Sequence, residues 1–315
     1  MCFKFFIEPS LLMKRMIHSY SPIFLSLLFF FCTTPKPKKE DTKTATTFVK
    51  FEKHPDFNNY WYVGKAEITS YKLSQVRYGE VHEGTAVNIF VTEDFLPQKQ
   101  VKADSKNEEN IPILKLNSTK KYTTGIYPYS LMTSTFSPIN INHNVLKISF
   151  SAQEWCGNTF VQLNNRVDYE IQFYSYFESN ADRKIKLKKD ILENELWNQL
   201  RISPENLPVG KLQIIPSFEY LGLHHKQFQA YEAFATLEEK ADFLIYEIKY
   251  PTLQRIVKIK VTNAFPYTIE SWEETFSSRG NMLTTKAVKI KTLQSAYWSK
   301  NGVTDVEERK ELGLD

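Results

Sequence analysis

Only three of the 315 residues are cysteine, at positions 2, 32 and 156, and only ten are glycine. Three thiols are too few for a disulfide-stapled scaffold or an array of zinc knuckles. So few glycines leave little backbone able to close around a phosphate. The patterns that would do so are missing: there is no G-x-x-x-x-G-K-[ST] and no G-x-G-x-x-G. G-x-S-x-G, H-E-x-x-H and C-x-x-C are absent as well. His82-Glu83 opens like a zinc helix, but Gly84 follows and Ala86 stands where the second histidine belongs. The remaining histidines are His18, His54, His143, His224 and His225. The last two are adjacent, so on a strand they point to opposite faces and cannot share an ion. The residues therefore call for no metal and no cofactor. A net charge of +4 excludes the strongly basic footprint of a nucleic-acid binder. No apolar run reaches the roughly 18 residues of a membrane-spanning helix.

What is present is aromatic. Phe, Tyr and Trp make up 14% of the chain, which favours β-structure, and 42% apolar residues suffice for a large core. The longest apolar run, residues 23–31, follows Lys14 and Arg15 and ends at Cys32. A positive segment before a short apolar one is an export signal. A polar, lysine-rich stretch, 33–48, then forms a tether. Signal, cysteine and tether together resemble a bacterial lipoprotein precursor, with Phe31 standing where that family usually has a small residue. The resemblance implies removal of residues 1–31, lipid on the sulfur of Cys32, and a tether over 32–48. The protein would then be held on a membrane of the cell envelope, facing the periplasm or the cell surface.

The body, 49–315, reads as strands. Leu146, Ile148 and Phe150 alternate with polar residues, as do Tyr169, Ile171 and Phe173, then Val257, Ile259 and Val261, and more briefly Val288 and Ile290. One apolar and one polar face predict a mainly β fold of curved antiparallel sheet with a wet side. One amphipathic helix is predicted over residues 191–200, with Ile191, Leu192, Leu196, Trp197 and Leu200 on one side and Asp190 and Glu193 at its cap. Residues 97–112 read as a surface loop, and a short helix begins near Thr304. Four short matches recur in order. Residues 63–68 match 209–214, 113–116 match 256–259, 127–131 match 265–269, and 147–155 match 289–298. They suggest two similar β units, 60–160 and 207–300, bridged by 161–206, with Trp155 and Trp298 as equivalent core residues.

Candidates for chemistry are sparse. Cys156 has no histidine near it in sequence, and a lone cysteine is usually buried and inert. Ser118 and Lys121 have the spacing of a serine–lysine pair, which lysine abundance produces by chance. Glu154, Glu273 and Glu274 are carboxylates beside strands, where solvated faces are the rule. Arg183, Lys184, Lys186, Lys188 and Lys189 form a basic run that reads as a solvated loop leading into the helix, or as a contact for anionic headgroups.

Several stretches resemble a family of exported bacterial envelope proteins that often carry the label "septum formation inhibitor Maf". They include Tyr60-Trp-Tyr62, residues 66–71, 91–95, 99–104 and 114–117, Thr124-Gly-Ile-Tyr-Pro-Tyr-Ser130, Gln153-Glu-Trp-Cys156 and residues 192–197. True Maf proteins are cytoplasmic nucleotide pyrophosphatases with a Ser-x-Ser-Pro-Arg-Arg signature. Here each Ser-Pro pair is followed by Ile139, Ile23 or Glu205, so no Maf residues carry over. A looser resemblance, on Tyr250-Pro251, residues 257–261, Phe265-Pro-Tyr-Thr-Ile269 and residues 272–276, is to outer-membrane lipoprotein carriers with half-barrel folds. That resemblance implies a concave face for acyl chains. The expectation is an anchored, non-enzymatic binding protein for an apolar or lipid-like ligand. The alternatives are an adaptor for a protein partner and an envelope hydrolase.

Overall fold

The computed structural model describes residues 53–139, 144–178 and 180–314. The signal segment, Cys32, the tether and His143 lie outside the described residues. Helix α1 (Phe57–Trp61) precedes a meander of β1 (Ala66–Arg77), β2 (Glu80–Leu96), the short β3 (Val101–Lys102), β4 (Ile111–Thr124) and β5 (Tyr127–Pro138). It continues through β6 (Lys147–Glu154), β7 (Gly157–Asn165), β8 (Tyr169–Ser175) and β9 (Arg183–Leu187). After β10 (Ile191–Leu192) comes helix α2 (Glu193–Ile202), then β11 (Gly210–Ile215) and helix α3 (Phe218–Leu223). A second meander follows: β12 (Tyr231–Glu239), β13 (Phe243–Tyr250), β14 (Arg255–Thr262), β15 (Ile269–Ser278) and β16 (Asn281–Ser295), with helix α4 (Glu307–Glu311) at the end.

Among the described residues sixteen strands join one sheet, mainly antiparallel as its alternation predicts, and only β10 and β11 pair in parallel. Antiparallel pairing of β16 with β1 joins the two meanders. The free edges are β9 and β10. Only residues 188–190 separate them, and four residue steps span at most about 14 Å. The strand order therefore runs in a circle with one open seam, so the sheet is barrel-like. Because neighbours alternate in direction, the β1–β2, β4–β5, β6–β7, β8–β9 and β15–β16 turns and α3 lie at one rim. The N-terminal helix α1 and residues 263–268 lie at the other, where His54 stacks on Phe265 with ring centres 4.5 Å apart.

Helix α2 occupies the concave side. Asn198 donates to the Leu114 carbonyl of β4 at 2.7 Å, and Trp197 meets Trp272 of β15 edge to face. Two guanidinium–carboxylate pairs tie it to β1 and β14, on either side of β15 and β16. Arg201 reaches both oxygens of Glu67 on β1 at 2.6 Å and also donates to the Pro266 carbonyl. Arg255 on β14 reaches both oxygens of Glu193 and, through Nε, Glu274 on β15 at 2.6 Å. Each pair is buried, so the forked geometry and its extra hydrogen bonds must offset the desolvation of four charges.

Several expectations change here. The helix spans 193–202, because Ile191 and Leu192 extend along β11 as β10. Its start is satisfied by Glu195, which accepts from the Leu192 and Val145 amides, and not by Asp190 with Glu193. The stretch 97–112 contains β3 and the start of β4. Arg183, Lys184 and Lys186 of the basic run lie on the edge strand β9, where Lys186 faces Glu170 on β8, while Lys188 and Lys189 follow in the link to β10. Trp155 and Trp298 are exposed, the first in a tight turn and the second in a 3₁₀ turn after β16. Val288 and Ile290 point outward, because on β16 it is Thr285 and Ala287 that face the interior; a bulge against β1 follows at Ile290. In chain order β2 and the two-residue β3 lie between the first two matched segments, as β12 and β13 lie between their counterparts, but β3 stands off the main strand path. The outer face is also not wet throughout, since Leu312 beyond α4 covers Ala66, Ile68 and Val91.

Candidate functional site

Two hollows deserve comparison. The first lies inside the sheet, between α2 and strands β4, β5, β14 and β15, with a volume of about 60 Å³. Its walls carry Glu193, Arg255, Glu274, Lys120 and Glu219, and all of these charges are paired with each other. Tyr250 adds a hydroxyl bond to Glu193 at 2.7 Å. Burial raises Glu274, but Arg255 and then Lys120 outweigh it and hold the carboxyl below its usual range. This hollow suits a water or two, and its polar groups already satisfy one another.

The second hollow opens at the rim that carries α3. It measures about 190 Å³ and is lined by Arg77, Tyr129, Glu154, Thr159, Phe177 and His225, among others. Strand and turn geometry build it. Arg77 ends β1, and Tyr78 begins the turn in the left-handed region with φ of 55°. Gly79 follows because a side chain there would run into Arg279, 2.9 Å from where a Cβ would sit. The Tyr78 and Tyr129 hydroxyls are 2.7 Å apart. The Arg77 guanidinium lies over the rings of Tyr78 at 4.6 Å and Tyr129 at 5.5 Å. Tyr122 stacks on Tyr129 at 4.9 Å, and Tyr127 stacks between Tyr129 and Trp155. Around the mouth stand Trp155, Tyr176 and Ile126, which are 69%, 78% and 81% exposed. Exposed aromatics grouped beside a concavity are a signature of ligand or partner contact.

Cys156 sits on this rim. Its amide donates to Glu154, and a hydrogen bond to that carboxylate, with its negative charge, holds the thiol above its ordinary value. A neighbouring acid disfavours thiolate, so the arrangement opposes nucleophilic use. Exposure corrects the expectation of burial. His224 and His225 diverge as adjacency predicts. His224 packs edge-on against Phe276 in the interior, and burial lowers it to about 4. His225 faces Asn180 and Phe177. Ser118 and Lys121, three apart on β4, point to opposite faces and form no pair. Glu273 and Glu274 likewise diverge: Glu273 meets Lys286 outside, while Glu274 is buried on Arg255. Among the described residues no group of three His, Cys, Asp or Glu side chains could hold a metal ion. No helix among them is long and apolar enough to cross a membrane.

Sequence reasoning missed Arg77, Tyr78, Tyr122, Tyr127 and Tyr129 as one cluster. The signal that could have found them is local: Tyr122 to Tyr129 is a tyrosine-rich hairpin around Gly125, and Tyr78-Gly79 is a turn preceded by an arginine.

No family model and no curated protein matches this chain. Among solved structures it is similar to a β-barrel-like protein of a domain of unknown function, DUF1849, from Brucella abortus. The likeness has a TM-score of 0.41 at 6% identity, and covers 73% of this chain and 97% of that one.

Proposed function

We propose that the protein is a non-enzymatic binding protein of the bacterial envelope, anchored through lipid on Cys32, whose ligand lodges in the aromatic rim pocket. One observation carries the reading: stacked and exposed aromatics converge on an open hollow at one rim, while α2 fills the interior. An apolar ligand gains about 25 cal/mol for each Å² it buries, and the rim offers that surface without unpacking the core. The half-barrel resemblance would put an acyl chain on the concave face, but here α2 and its ion pairs already occupy that face. A lipid-like ligand would therefore present only a short apolar segment, to Phe177, Trp155 and Tyr127. The plugged interior also favours a second reading, an adaptor whose partner inserts a side chain into the same pocket.

Native mass spectrometry of the protein from its own membranes, before and after denaturation, tests the proposal. The expected result is a chain starting at Cys32 with acyl mass, plus a further mass that leaves on denaturation and is absent from a Trp155→Ala, Phe177→Ala double variant. A chain with neither addition sinks the anchor and the small ligand together. A partner chain retained through the rim selects the adaptor.

A further inference from the structure

We infer that Arg77 makes the rim pocket a receptor for a carboxylate carried on a flat, apolar body. The inference rests on the proposed reading of that pocket as the binding site, and adds the ligand's chemical class. The two buried arginines, Arg201 and Arg255, are each gripped by a carboxylate through two hydrogen bonds. Arg77 is not: it has no carboxylate within ion-pairing distance among the described residues. One Nη donates to the Leu223 carbonyl at 3.0 Å, and its Nε is buried with no partner. A guanidinium has five donors and prefers planar, two-point acceptors. A half-buried guanidinium that lines a hollow and has no carboxylate paired with it can take one from a ligand.

The surroundings select the kind of anion. The Tyr78–Tyr129 hydroxyl pair, one of whose protons is spent between them, has one donor to spare, and Thr159 adds another, while Phe177, Leu223 and Ala152 supply apolar wall. Arg77 is the only lysine or arginine lining the hollow, and Glu154 lines it too. His225 contributes no second charge at neutral pH, since burial and Arg77 lower its proton affinity. One cation facing one fixed carboxylate suits a monoanion and disfavours a phosphate dianion. Arg279, over the Tyr78 ring at 5.8 Å, lies outside the lining.

The test is calorimetric titration of the full-length protein in nanodiscs, against empty nanodiscs, with 3-phenylpropionate and its neutral amide, 3-phenylpropionamide. The acid is expected to bind at least tenfold more tightly than the amide. In Arg77→Gln that ratio should fall to within twofold, in Arg77→Lys part of it should remain, and in Glu154→Gln the acid should tighten. The wild-type comparison stands even where Arg77→Gln fails to fold. If acid and amide bind alike, the pocket stands and the carboxylate inference falls. If neither binds, the pocket reading falls and takes the inference with it. If inorganic phosphate displaces the acid at equal concentration, the carboxylate preference is overturned.

Discussion

Replacing Arg201 by methionine should cost far more than an ordinary substitution on a helix's last turn. Arg201 gives both Nη atoms to Glu67 at 2.6 Å and its Nε to the Pro266 carbonyl at 3.0 Å. Its charge lies over the rings of Phe90 at 4.6 Å and Trp61 at 5.1 Å. Methionine fills similar volume but leaves Glu67 charged and buried, with only the Tyr60 hydroxyl for company. Removing one partner of such a pair costs about 3–5 kcal/mol. A domain of this size loses roughly 2–4 °C of Tm per kcal/mol, so the expected fall is about 6–20 °C. Glu67→Leu should cost a similar amount for the opposite reason, a buried guanidinium without its anion. The double variant should recover most of the loss, because both desolvation penalties vanish and apolar atoms replace them. Denaturant unfolding followed by tryptophan fluorescence measures all four corners of the cycle. If either single variant stays within 1 kcal/mol of wild type, or if the two losses simply add, the pair does not work as described.

Other expectations follow from the same geometry. His224 is lowered to about 4 by burial, so between pH 6.5 and 4 the unfolded chain binds a proton that the folded one refuses. Stability should therefore fall across that window by roughly 3 kcal/mol at most, and His224→Phe should flatten it. Glu274 is held low by Arg255, so its contribution is present above the ordinary carboxylate range and is lost only as pH falls below it. Acid titration of the His224→Phe variant should show a shallower slope near pH 6, with His225 supplying what remains, and then the later carboxylate loss; a slope as steep as wild type would contradict the assignment. Cys156→Ser should leave stability unchanged, and the native thiol should alkylate no faster than a free cysteine at pH 7. Fast alkylation would mean that Glu154 does not hold the proton on sulfur.

The alternation of apolar residues in β6, β8 and β14 was enough to read an antiparallel sheet, because a half-buried strand repeats every second residue whatever its neighbours. Val288 and Ile290 show where that logic stops. Alternation says which residues share a face but not which face is buried: on β16 it is Thr285 and Ala287 that point inward, and the bulge against β1 falls only after Val288. Helix α2 was legible as a helix through Leu196, Trp197 and Leu200. Its polar residues looked like a solvent face, yet Glu193, Asn198 and Arg201 are all buried. Their partners stand 62, 84 and 134 residues away, a distance over which sequence carries no local signal. The rim cluster failed for the same reason. Tyr129 meets Tyr78 across 51 residues, and Arg77 meets Leu223 across 146. Turn residues could be named from sequence, but which turns share a rim follows only from the strand order.

That strand order also bears on how the interior and the rim divide their roles. Strands β9 and β10 are the sheet's only long-path edges, and the chain passes directly from one to the other and then into α2. The helix is thus delivered to the concave side at the seam, where the sheet is not held closed by its own hydrogen bonds. Glu193 at its first turn grips β14, and Arg201 at its last turn grips β1. These grips fall on both sides of the β15–β16 pair, so α2 braces the sheet across the junction of the two meanders. A ligand that entered the interior would have to break at least one of these grips, at about the cost worked out above for Arg201. A ligand at the rim breaks neither. The same ion pairs that brace the interior therefore oppose entry there, and they leave Arg77, an arginine they do not include, on the wall of the rim hollow.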